Sequence, residues 1–155
     1  MHFTIRGLPI EDFSHLFELD AQTLAAAGVT SCVADAPNSY PCRVTLEDAS
    51  PGEELLLLSY PHLRGSTPYA AAGPIYIRRS ATGTAVLRNR VADQQRRRLL
   101  SIRAYDPRDW IVAADVVAGV DLEPVIERFF GQEDVAYLHV HNARHGCYAC
   151  RVDRA

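Results

Sequence analysis

The sequence predicts an α+β fold: a single domain over residues 1–155 with a mostly antiparallel sheet and helices packed on one side. Three observations carry that expectation. Short segments with apolar–polar alternation of period two dominate the chain from residue 32 onward. Turn-forming residues, rather than long crossovers, separate those segments, which favours antiparallel pairing. Only four stretches have helical character, and 155 residues without repeat, low-complexity tract or linker make one ordinary domain.

In order along the chain, Phe3 to Arg6 is a short strand ended by Gly7-Leu-Pro9. A helix from Glu11 to Glu18 would bury Phe13, Leu16 and Phe17, and a second from Asp20 to Ala27 is capped by Asp20 and stopped at Gly28. Cys32 to Ala34, Cys42 to Leu46, Leu55 to Tyr60 and Ile75 to Arg78 read as strands. Leu55-Leu-Leu-Leu58 lacks alternation, as expected of a central strand covered on both faces. Ala92 to Arg98 reads as a helix, followed by strands at Leu99 to Tyr105 and Ile111 to Val117, with Asp106-Pro-Arg-Asp109 as the turn between them. Asp121 to Phe130 is a helix stopped by Gly131, and Val135 to His141 with Cys147 to Val152 closes the chain as a hairpin.

Composition excludes several functions. At 48% apolar and 23% charged residues the chain has a globular composition, and no apolar run approaches the ~18 residues of a membrane span. A net charge of −3 gives no general attraction for nucleic acid, and Arg96-Arg-Arg98 lacks interleaved aromatics, so it reads as a solvated helix end. The expected partners therefore include neither nucleic acid nor membrane. The amino terminus has no basic-then-apolar signal pattern, which points to the cytoplasm and to four reduced thiols. All sixteen basic residues are arginine, which excludes Schiff-base lysine chemistry and supplies planar donors for carboxylate or phosphate.

Alternation assigns faces. Cys42, Val44 and Leu46 share one face, leaving Arg43 and Thr45 on the other; Ile75 and Ile77 point away from Tyr76 and Arg78; Leu100, Ile102 and Ala104 point away from Ser101, Arg103 and Tyr105. In the terminal hairpin Leu138 and Val140 are core, which sets Tyr137, His139 and His141 on the opposite face. A face rich in Arg, His and Tyr is either the solvated side of the sheet or the floor of a pocket for an anionic small molecule, with Arg43 and Arg103 as clamps.

The densest chemistry lies in Tyr137-Leu-His-Val-His-Asn-Ala-Arg-His-Gly-Cys-Tyr-Ala-Cys-Arg151. A four-residue loop at Ala143 to Gly146 would set Asn142 opposite Cys147 and His139 opposite Cys150, bringing Tyr148 and Cys150 to the histidine face. A loop one residue longer or shorter would bring Cys147 and Arg151 there instead. Cys147 and Cys150 are three apart, so an extended strand points them to opposite faces and they do not share one ion. A metal would instead take His139 and His141 with a distant third ligand such as His62, in the loop that opens at Tyr60-Pro-His62. Cys147, after Gly146 at a turn and near His141, Asn142 and His145, is a candidate nucleophile. No nucleotide loop, nucleophile elbow or zinc-protease helix is present.

Tyr40-Pro-Cys-Arg-Val44, Leu55-Leu-Leu-Leu-Ser-Tyr-Pro-His62, Ser66-Thr-Pro-Tyr69, Gly73-Pro-Ile-Tyr76, Leu99-Leu-Ser-Ile-Arg-Ala-Tyr-Asp106 and His139-Val-His-Asn-Ala-Arg-His-Gly-Cys-Tyr-Ala149 together resemble the bacterial domain of unknown function 1203 family. The resemblance implies a small stand-alone bacterial protein of the cytoplasm and no named activity. It carries onto Arg43, His62, Arg103, His139, His141, Asn142, Gly146, Cys147 and Arg151, and departs at Cys150, where the family usually has alanine. The resulting expectation is a small enzyme or ligand-binding protein with no identified cofactor. In it His139, His141 and Cys147 carry catalysis, and Arg43, His62, Arg103, Asn142 and Arg151 bind an anion. The alternatives are a histidine-based metal site and a non-catalytic module whose polar face meets a partner protein.

Overall fold

The computed structural model describes residues 2–155, whose nine strands form two antiparallel sheets instead of the one expected. The strands are β1 (Phe3–Arg6), β2 (Thr30–Val33), β3 (Glu54–Leu63), β4 (Ala71–Arg78), β5 (Val86–Arg88), β6 (Leu99–Tyr105), β7 (Ile111–Ala118), β8 (Tyr137–Asn142) and β9 (Tyr148–Arg154). A six-stranded sheet has the order β5-β1-β9-β8-β6-β7, and a three-stranded sheet has the order β2-β3-β4. The α-helices are α1 (Ala21–Ala26), α2 (Asp93–Arg96) and α3 (Leu122–Phe130), so the fold is β-rich. No helix among the described residues is long and apolar enough to cross a membrane.

The apolar face of the large sheet carries the main core. Ile102, Leu138, Val140 and Val152 meet Leu122, Ile126, Phe129 and Phe130 of α3, whose apolar residues recur on one side of the helix. Leu16, Leu24 and Val29, from the segment around α1, instead cover Leu56 of β3. Helices on one side of a single sheet are thus replaced by separate covers on separate sheets, because Leu24 and Ile126 bury against different strands. β3 is the middle strand of its sheet, and its Leu55 and Leu56 are fully buried while Leu57 and Leu58 are only half covered.

Local chemistry explains where elements differ from expectation. Cys42 to Leu46 is no strand: Leu46 has φ 54°, a left-handed conformation that ends extended pairing, and the segment turns back so that the Cys42 amide donates to Glu47 O. Cys42 and Val44 consequently pack with Ile75 and Ile77, whereas Leu46 reaches the core of the large sheet. The expected helix over 11–18 is two 3₁₀ turns, Ile10–Asp12 and Ser14–Leu16, broken at Phe13, which sinks into a different cluster from Leu16. The helix expected over 92–98 is one turn with no side-chain cap. Its arginine run is not a free helix end, since Arg97 and Arg98 pair with Asp48 at 3.3 and 2.6 Å and Arg96 pairs with Glu123. Asp20 caps α1 by accepting from the Thr23 amide at 2.7 Å. The short edge strand β5 was missed because three residues show no periodicity.

The terminal hairpin combines features of both expected registers. Its loop is the four-residue one, with the Asn142 amide donating to Cys147 O at 2.9 Å, yet His139 pairs with Arg151 and His141 with Tyr148. A β-bulge reconciles these pairings, since one extra residue on β9 lets Ala149 and Cys150 both enter the core while Tyr148 and Arg151 both turn to the histidine face. Cys150 is therefore core, and burial pushes its thiol up to about 12.

Candidate metal centre

The polar face predicted from alternation is an ordered grid. Across β6, β8 and β9 the register aligns Ser101, His141 and Tyr148 in one row, Arg103, His139 and Arg151 in the next, and Tyr105, Tyr137 and Asp153 in the third. It is not a solvated face, because the three-stranded sheet packs on it. Leu63 contacts Tyr105 and Tyr137, and Ile75 and Ile77 cluster with Tyr148. Along β6 the cover reaches Tyr105 but thins toward Arg103 and Ser101, which are half-buried, and the adjoining Val116 is 56% exposed. His139 and His141 end up 2% and 1% exposed.

The covering sheet contributes a third histidine. β3 is irregular between Tyr60 and Leu63, and a bulge of this kind re-aims a side chain. His62 stacks on Tyr148 with ring centroids 5.1 Å apart and 10° between planes, and lies 5.9 Å from His139 and 5.1 Å from His141. Each of the three offers one ring nitrogen to a group whose members all lie within 4.8 Å of one another. Ligation of one tetrahedral ion at ~2.0–2.1 Å needs nitrogens about 3.4 Å apart, so the group would close by up to about 1.4 Å on binding.

Hydrogen bonding leaves one ring nitrogen of each histidine without a protein partner. His62 Nδ1, His139 Nδ1 and His141 Nε2 are buried and meet no hydrogen-bond partner within the protein. Leaving such atoms unpaired costs on the order of 1–3 kcal/mol each. His141 Nδ1 lies 3.0 Å from Gly146 O, and a carbonyl only accepts, so Nδ1 carries the proton and Nε2 presents a lone pair. Burial holds His139 down to about 3, helped by His141, His62, Arg151 and Arg103, and burial holds His141 down to about 4 against the Gly146 bond that favours its charge. His62 is lowered by burial and by Arg103. No carboxylate bonds to any of the three among the described residues, so the rings are neutral at pH 7.

Aromatic side chains wall the site. Tyr105 and Tyr137 stack at 5.1 Å, His139 touches both rings, and the Arg151 guanidinium lies 3.8 Å over Tyr137. Tyr137 Oη donates to Asp109 Oδ1 at 2.6 Å, which fixes the ring through the turn between β6 and β7. That turn forms as expected, with Asp106 Oδ1 accepting from the amides of Arg108 and Trp110 at 2.8 and 3.0 Å.

The residues singled out in the sequence divide into two places. His139 and His141 meet His62 where the two sheets pack, with Arg103 and Arg151 on either side of His139 in the register. Arg43, Asn142 and Cys147 line a separate cleft of about 650 Å³ that also includes Arg98, Arg144 and His145. Arg43 is anchored there: its Nε donates to Tyr148 O at 2.5 Å and its Nη1 to Pro41 O, and burial holds it down to about 10. Sequence reasoning missed Asp109 as the anchor of Tyr137 and missed the bulge. A readable signal for the bulge was the pair Ala149-Cys150, two small apolar residues side by side between Tyr148 and Arg151.

A family model described as a protein of unknown function (DUF1203) matches residues 39–154, about three quarters of the chain and every site residue singled out in the sequence. No curated protein and no solved structure matches the chain.

Proposed function

The chain belongs to the DUF1203 family, and we propose that its function rests on one divalent transition-metal ion held by His62, His139 and His141. The observation that carries this reading is the convergence of three histidines from two different sheets, two of them buried and His62 half-exposed, each with a buried ring nitrogen that has no protein partner. A bound ion would satisfy all three nitrogens together. The bond from His141 Nδ1 to Gly146 O is the kind of support that orients a ligating imidazole and fixes its tautomer. An all-imidazole set suits zinc, iron, copper or nickel, and three protein ligands leave a position for substrate or water, as catalytic rather than structural sites do. The ion would supply Lewis acidity and water activation. In this reading His139 and His141 are ligands rather than proton carriers, and the four free thiols support a reducing, cytoplasmic setting.

The test is elemental analysis of protein made without a histidine tag. About one equivalent of a first-row transition metal per chain is expected, as isolated or after incubation with Zn²⁺ or Co²⁺ and dialysis. His62→Ala, at a half-exposed position, should lose the metal while keeping the wild-type circular dichroism spectrum. Less than about a tenth of an equivalent under both conditions would falsify the reading.

A further inference from the structure

We propose that the coordination position left free by the three histidines takes a small carboxylate, bridged between the metal and the Arg103 guanidinium; this rests on the metal reading above. The register sets Arg103 and Arg151 on either side of His139 in one row. Arg151 is already committed, with Nε on Asp153 at 2.7 Å and its plane over Tyr137. Arg103 is different. Among the described residues it is the one arginine that is neither exposed nor joined to a carboxylate or a main-chain carbonyl.

A half-buried, permanently charged guanidinium without a counter-ion is costly, and a divalent ion beside it among neutral imidazoles would add to the excess of positive charge. An anion in the open coordination position offsets both charges at once. A carboxylate fits best because its two oxygens match the planar fork of arginine while leaving a lone pair for the ion. The ligand must also be small. His139 and His141 are almost fully buried, and the clefts of about 400 and 650 Å³ are lined by other residues. Its route in is along β6, where the cover thins and Arg103 reaches solvent.

Cobalt-substituted protein tests this, because the visible spectrum of Co²⁺ reports a new ligand directly. Acetate and formate should perturb the wild-type spectrum saturably, and acetamide should not. Arg103→Met and Arg103→Gln should weaken acetate binding about tenfold or more while leaving Co²⁺ affinity unchanged or higher, since a repelling charge is removed. Using both variants, each checked by circular dichroism, keeps a folding defect in one from deciding the result. Wild-type protein that binds no Co²⁺ would overturn the metal centre itself. Co²⁺ binding with acetate affinity unchanged in both variants, or with acetamide bound as tightly as acetate, would overturn the carboxylate site alone.

Discussion

Three histidine side chains explain why this face is polar and yet buried. In the unfolded chain each titrates near 6.5, whereas in the native protein His139 is held to about 3 and His141 to about 4. Between those values the unfolded state binds more protons than the native state, so the stability of metal-free protein falls as pH drops from about 6.5 toward 4. Each histidine contributes at most about 1.4 kcal/mol per pH unit in that window. The urea midpoint of metal-free protein should therefore be lower at pH 5 than at pH 7. The carboxylates whose pKa values are lowered, Asp106 and Asp115 among them, lose their contribution only near and below about pH 4, outside this comparison. An unchanged midpoint between pH 7 and 5 would contradict the neutral burial of the rings. Cys147 supplies a contrasting case, since it lines the cleft with Arg43 and not the histidine group. Cys147→Ser should leave metal content within error of wild type, and a loss of half the metal would place the thiol at the centre after all.

At the level of elements, two irregularities make the site: the bulge on β9 and the irregularity near the end of β3. Without the first, Tyr148 and Arg151 would point to opposite faces; the second lies where His62 leaves the ladder. Gly146 closes the hairpin at φ 76°, where an L side chain is strained, and its carbonyl fixes His141. Gly146→Ala should cost about 1–2 kcal/mol in urea unfolding, and Gly146→Asn, which tolerates the left-handed region better, should recover part of it. Equal stability of wild type and the alanine variant would mean that the hairpin accepts another turn. Much of this level was legible in advance: β1, β6, β8, α1 and α3 lie within a residue or two of their expected bounds, because alternation or a glycine stop marked them. Cys42 to Leu46 was not, since alternation alone cannot register that Leu46 turns left-handed.

Across the whole molecule, the proposed centre draws on both sheets, with His62 on one and His139 and His141 on the other. A ligand that binds only the closed arrangement stabilises the native state by mass action, about 2.7 kcal/mol at a hundredfold excess over its dissociation constant. For a chain of this size that corresponds to a rise in Tm of about 5–10 °C with Zn²⁺. His62→Ala should abolish the rise, and an equal rise in that variant would locate the metal elsewhere. The faces of β6 and β8 and the set of polar residues they carry are readable from the amino-acid order alone, because side-chain alternation is a local property of extended backbone. The same order names His62 as a possible third ligand without placing it. Long-range packing sets the rest: a second sheet covers the face, the bulge seats Tyr148 and Arg151 beside the histidines, and Arg43 and Cys147 belong to another cleft. Packing of one sheet on another joins residues as distant in sequence as His62 and His139, and no local periodicity encodes which surfaces meet.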